Sequence, residues 1–86
     1  MDINQLIAIV KKKLQNCINI ENINIEDKTF LHKNHTGHKE GNFHLKLIIN
    51  SIELKKMNRI EGNKKIYKAL DKELKEHIHS LQILIR

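Results

Sequence analysis

One cysteine, two phenylalanines, one tyrosine and no tryptophan are all that this 86-residue chain holds of the residues that staple or stack. A single thiol excludes an internal disulfide. Nothing at the start reads as a charged segment followed by an apolar stretch and a cleavage site, so the expected setting is the reducing cytoplasm. No apolar run approaches the roughly 18 residues needed to cross a bilayer, so no membrane partner is expected. Three aromatic rings give little to stack on bases, and no Gly-x-x-Gly loop is present to clamp a nucleic-acid backbone. A Ser-His-Asp set, paired carboxylates in a pocket-forming context and a phosphate-cradling glycine loop are also missing, so the chain is not expected to be an enzyme.

Arginine is scarce as well. The net charge is +6, which by itself points to nucleic acid or a membrane surface, but lysine outnumbers arginine 14 to 2. Phosphate and base recognition favours the planar guanidinium fork, whereas lysine scattered over every segment reads as solvated surface. Ile, Lys and Asn together make up 39 of the 86 residues, and all three are read from codons rich in A and T. A genome of biased base composition would by itself produce much of this.

A chain of this length fits one domain, residues 1–86, with one layer of helices on a sheet and no room for a deep cleft. Ile3, Leu6, Ile7, Val10 and Leu14 recur at helical steps behind an N-cap at Asp2, predicting a helix from Ile3 to Asn16. Ile18, Ile20, Ile23 and Ile25 read as one strand, with Glu21-Asn22 breaking its alternation. From Asp27 to Asn42 the apolar period disappears, and His, Lys, Gly, Asn and Thr read as a loop of functional length. Phe43, Leu45, Leu47 and Ile49 alternate with His44, Lys46 and Ile48 in a second strand that ends at Asn50-Ser51. A short helical pattern over Ile52–Ile60 is followed by an expected break at Gly62-Asn63. Then comes a longer helix with Ile66, Tyr67, Leu70 and Leu74 on its inner face and Asp71 spaced to pair with Lys75. Leu81, Ile83 and Ile85 form a closing strand. The order is α-β-β-α-α-β, an α+β fold.

Six histidines are the chemically suggestive feature. Imidazole is near neutral at physiological pH and still has a lone pair for iron or zinc. His32, His35 and His38 sit at three-residue steps in the long loop, a pattern that fits either a metal site or a solvated loop. His79 opens the last strand, where a histidine often does no more than hydrogen-bond a neighbouring carbonyl. His77 is expected to be exposed at a helix C-terminus, where it complements the dipole. His44 alternates away from the buried face and has no assigned role. Cys17 follows the first helix, the wrong end to lower a thiol pKa, and reads as a small buried hydrophobe.

Three pieces of sequence carry a resemblance. Leu31-His32-Lys33-Asn34-His35-Thr36-Gly37-His38 is similar to the Ser-His-x-His-x-Gly-His loop of the BolA family, and Phe43-His44-Leu45-Lys46-Leu47-Ile48 to its Phe-x-Val strand. Ile66-Tyr67-Lys68-Ala69-Leu70-Asp71-Lys72-Glu73-Leu74 and Ile78-His79-Ser80-Leu81 resemble Val-Tyr-x-x-Leu-x-x-Glu-Leu and Val-His-Ala-Leu. The resemblance spans nearly the whole chain and implies a three-stranded mixed sheet with helices on one face, similar to the class II KH type. It also implies a function: a non-catalytic partner of a monothiol glutaredoxin. In that reading His79 and a loop histidine, His35 or His38, ligate one iron of a [2Fe-2S] cluster, with glutathione and the glutaredoxin cysteine as the other ligands. Imidazoles in place of thiolates raise the potential, as in Rieske centres.

The departures fall in one segment. Ile52-Glu53-Leu54 and Gly62-Asn63 stand where the family has Phe-x-Gly and Arg-His, which removes basic and aromatic residues from its helix-turn-helix region. The second reading, a DNA-binding regulator, rests on Lys55, Lys56, Arg59, Lys64, Lys65 and Lys68. An exposed edge strand leaves a homodimer open.

Overall fold

Apolar side chains on every second residue of the central strand organise the molecule. The structure, a computed structural model, describes residues 1–29 and 42–86. Strand β2 (Phe43–Asn50) lies between β1 (Asn22–Asp27), antiparallel to it, and β3 (Ile78–Ile85), parallel to it. The register aligns Ile23, Ile49 and Ile85 in one row, Ile25, Leu47 and Ile83 in the next, and Leu45 beside Leu81. Leu45, Leu47 and Ile49 are fully buried, each contributing about 1.5–3 kcal/mol relative to exposure.

Helix α1 (Ile3–Cys17) meets this face with Leu6, Val10 and Leu14, all fully buried and spaced four apart. Its start is a capping box: Asp2 accepts from the Gln5 N–H at 2.8 Å, and Gln5 accepts from the Asp2 N–H at 3.1 Å. The chain leaves the helix at Ile18, whose extended backbone turns its own side chain into the core. Cys17 is left outside and exposed, not buried as its residue type suggested. Strand pairing starts only at Asn22, so Ile18 and Ile20 belong to the connection and not to β1.

After β2, Ser51 caps α2 (Ile52–Lys55), accepting from the Leu54 N–H at 3.1 Å. Asn58 caps α3 (Arg59–Ala69) in the same way, accepting from the Glu61 N–H at 2.9 Å. Leu70 joins α3 to α4 (Asp71–Glu76), and the two make the long helical segment expected before β3. Gly62 and Ile66, on one side of α3, face the core together with Leu70. Tyr67, one step round the helix, is exposed, contrary to the inner face expected for it. The Asp71–Lys75 pair forms at 3.1 Å. Glu73 is buried on α4 and takes Lys13 of α1 at 2.6 Å.

Gly62 is not a break. It lies inside α3, where a Cβ would meet Ile85 Cδ1 at 3.6 Å and Leu54 Cδ2 at 3.8 Å, ordinary van der Waals distances. Glycine here costs chain entropy without buying a turn. Gly62→Ala should therefore stabilise the protein by about 0.5–1 kcal/mol, read as a higher midpoint in chemical denaturation. A lower midpoint would show that α3 packs too closely on β3 to admit a methyl group.

Candidate metal centre

The start of β3 is fixed from two sides. The N–H of His77, which follows α4, donates to the Glu73 carbonyl at 2.8 Å, and the His77 carbonyl accepts from the Phe43 N–H at 2.8 Å. Parallel pairing then opens with Phe43 opposite Ile78, but the next pair is His44 opposite Ser80. One residue of β3 has been passed over. That residue is His79, and the slip restores the inward row at Leu81 while placing His79 and Ser80 together beside His44.

His44 lies on the sheet face opposite the helices, as its alternation predicts, yet it is only 6 % exposed. The turn after β1 binds its backbone on both sides. Asp27 holds Thr29 in an Asx-type turn, accepting from its N–H at 2.9 Å and from its hydroxyl. Thr29 Oγ1 then accepts from the His44 N–H at 3.2 Å, and the Lys28 N–H donates to the His44 carbonyl at 2.7 Å. The ring is fixed by Ser80, whose Oγ lies 2.6 Å from His44 Nδ1. Against it stands the exposed ring of His79, edge to face, with centroids 5.1 Å apart.

Of the sequence-derived ligands, His79 thus stands beside a second imidazole, but that imidazole is His44. His35 and His38, with His32, lie outside the described residues. His44 could not be found from periodicity, because alternation gives the face of a strand and not what covers that face. The missed signals were Thr29 and Ser80, two hydroxyls that only tertiary pairing brings to it. His77 is half-buried, its Nε2 3.9 Å from Glu76, and not as open as a helix-terminal histidine was expected to be. Among the described residues no group of three or more His, Cys, Asp or Glu is placed to hold a metal ion. No helix among them is long and apolar enough to cross a membrane.

The basic residues lie elsewhere. Helix α2 is a single turn, and α3 carries Lys64 and Lys68 outward, one turn apart. Lys55 and Arg59 border a groove floored by Leu54, Ile83 and Ile85, and Lys56 is exposed between the helices. Lys65 pairs with Glu53 at 2.7 Å. The six cations therefore do not form one face, and one of them is already neutralised.

A model of the BolA-like proteins matches residues 14–86. The chain belongs to the BolA-like family. It is 28% identical over 75 residues to a Haemophilus influenzae protein named DNA-binding transcriptional regulator BolA, covering 87% of this chain and 70% of the relative. BolA1 from Arabidopsis thaliana superposes with a TM-score of 0.75 at 27% identity, over 92% of this chain and 87% of that one. The BolA domain of SufE1 from the same plant gives 0.77 at 23% identity, over 100% and 93%. The mixed three-stranded sheet with helices on one face is thus the BolA fold, as the sequence order implied.

Within the BolA-like frame, Glu53 sits in the segment that departs from the family pattern, and its charge is used. The Lys65 ammonium beside it, helped by the Asn19 N–H at 3.3 Å, holds its carboxyl below the usual carboxylate range. A carboxylate whose pKa falls on folding adds stability above its unfolded pKa and loses it as pH drops through the folded value. The contribution of Glu53 should be intact at neutral pH, begin to decline near its ordinary pKa of about 4.5 and be lost as the pH falls through the depressed folded value. Glu53→Gln should flatten the acid limb of a stability–pH curve and leave the alkaline limb unchanged. An unaltered acid limb would mean that solvent screens the pair completely.

Proposed function

We propose that this BolA-like chain is a non-catalytic partner of a monothiol glutaredoxin, supplying histidine nitrogen to a glutathione-containing [2Fe-2S] cluster shared between the two proteins. The observation that carries the reading is the exposed ring of His79 at the mouth of β3, with a second imidazole beside it. Imidazole nitrogen is a donor of the right chemistry for a cluster iron, and two such donors on one iron raise its potential. When bound, the cluster would supply the electron-transfer or delivery chemistry. What this chain does is hold His79 at a fixed strand start, exposed to a partner, on a sheet whose opposite face is closed by helices. The cytoplasmic setting inferred from the single cysteine suits a partnership that depends on reduced thiols.

A second reading follows from the name of the Haemophilus influenzae relative: DNA binding through Lys55, Lys56, Arg59, Lys64, Lys65 and Lys68. Against it stand the scatter of these cations and the pairing of Lys65 with Glu53. Binding of that kind would fall steeply with salt and show little sequence preference.

Labelled protein titrated with apo and then cluster-loaded monothiol glutaredoxin plus glutathione tests the first reading. The expected result is a change in the visible spectrum of the cluster, with the His79 resonances shifting only on loading, and loss of both in His79→Ala. No complex, an unchanged spectrum and a DNA duplex perturbing residues 55–68 would overturn it in favour of the second.

A further inference from the structure

We propose that His44 and His79 form a two-imidazole site for a first-row divalent transition-metal ion such as Zn²⁺, built by this chain alone and independent of any glutaredoxin. The proposal rests on distance, fixation and access. With metal–nitrogen bonds of about 2.0–2.1 Å, two imidazoles on one ion have ring centres roughly 4.5–5.2 Å apart for angles between square and tetrahedral. The His44 and His79 centroids are 5.1 Å apart.

The hydrogen bonding is that of a prepared ligand. A metal-bound histidine usually has its second ring nitrogen held by a neighbouring polar group, which sets the tautomer and the ring orientation. Ser80 Oγ, 2.6 Å from His44 Nδ1, is placed to do this by accepting from the Nδ1–H tautomer, in which Nε2 is the metal-binding atom. The site does not require that edge of the ring to be empty beforehand, since a metal–nitrogen bond takes the place of a hydrogen bond there. The buried His44 is the fixed half. His79 is exposed and meets His44 edge to face, so it must turn about its Cβ–Cγ bond, which leaves the centroid separation nearly unchanged, to aim a nitrogen at the same ion. Its place in the slipped register gives it that freedom, because Ile78 and Leu81 on either side stay anchored in the sheet. Two protein ligands leave the remaining positions of a tetrahedral ion open to water or to a donor from a partner.

The test separates this site from every other donor of the chain. In a background of His32→Ala, His35→Ala, His38→Ala, His77→Gln and Cys17→Ser, only His44 and His79 remain as imidazole or thiol ligands. Zn²⁺ titrated by calorimetry should bind one ion per chain. His44→Gln and His79→Gln should each weaken it more than tenfold, and Ser80→Ala by about tenfold. Alongside, imidazole ¹⁵N spectra of the unaltered chain should show the His44 and His79 ring nitrogens moving together up to one equivalent. The proposal is overturned if the background chain, shown folded by circular dichroism, binds no Zn²⁺, or if the His44 nitrogens of the unaltered chain do not respond. Failure to form a glutaredoxin complex bears on neither measurement.

Discussion

The parallel pairing of β2 with β3 is the constraint from which the rest follows. Leu45, Leu47 and Ile49 are fully buried, so the register of β2 cannot slip by one residue without turning that whole row to the open face. Strand β3 must match it, and Leu81, Ile83 and Ile85 do. The other end of β3 is equally fixed, because α4 ends at Glu76 and the His77 carbonyl is already bound to the Phe43 N–H. Between those two fixed points there is one residue more than the partner strand has. The surplus falls at His79, and the juxtaposition of two imidazoles follows from that count.

Helix α4 is in turn tied to α1 by the Lys13–Glu73 pair. The Glu73 side chain is 5 % exposed and that of Lys13 is 39 % exposed, so solvent reaches one partner and weakens the attraction, while the carboxylate still bears the cost of burial. Glu73 Oε1 has no hydrogen-bond partner among the described residues. Such a pair adds little net stability over a well-packed apolar contact. Its visible consequence is geometric: it ties the last helix before β3 to α1, across the core and 60 residues back in the chain.

The parts that the sequence made legible are those with a strong period and a local cap. The α1 stripe, the Asp2 cap and the alternation of β2 all depend on residues within a turn or two of one another. Gly62 misled because glycine marks a break only when the backbone needs its freedom, and α3 continues through it at ordinary contact distances. Ile18 and Ile20 look like strand residues, but among the described residues no strand lies opposite them to pair with. Tyr67 occupies a helical step where apolar character suggests burial, while the core line of α3 runs instead through Gly62 and Ile66. At the site, His79 was legible only through a family resemblance. His44 was not legible at all, since Ser80, 36 residues away, fixes its ring and Thr29, 15 residues away, takes its backbone N–H.

The geometry also separates the proposed histidine site from the basic residues of the second reading. Because β2 and β3 run parallel, both imidazoles lie at the starts of their strands, whereas Lys55 and Arg59 border the groove against Ile83, Leu84 and Ile85 at the far end of β3. His79 and Ile85 are six steps apart along the strand, roughly 20 Å at about 3.3 Å per residue. That distance is more than twice the screening length of about 8 Å at physiological salt. Charge at the basic end would therefore have little effect on an ion at the proposed histidine site. A ligand at one end and a polyanion at the other would bind without competing, and any coupling between them would have to pass through the register of β2 and β3, which the buried leucines hold rigid.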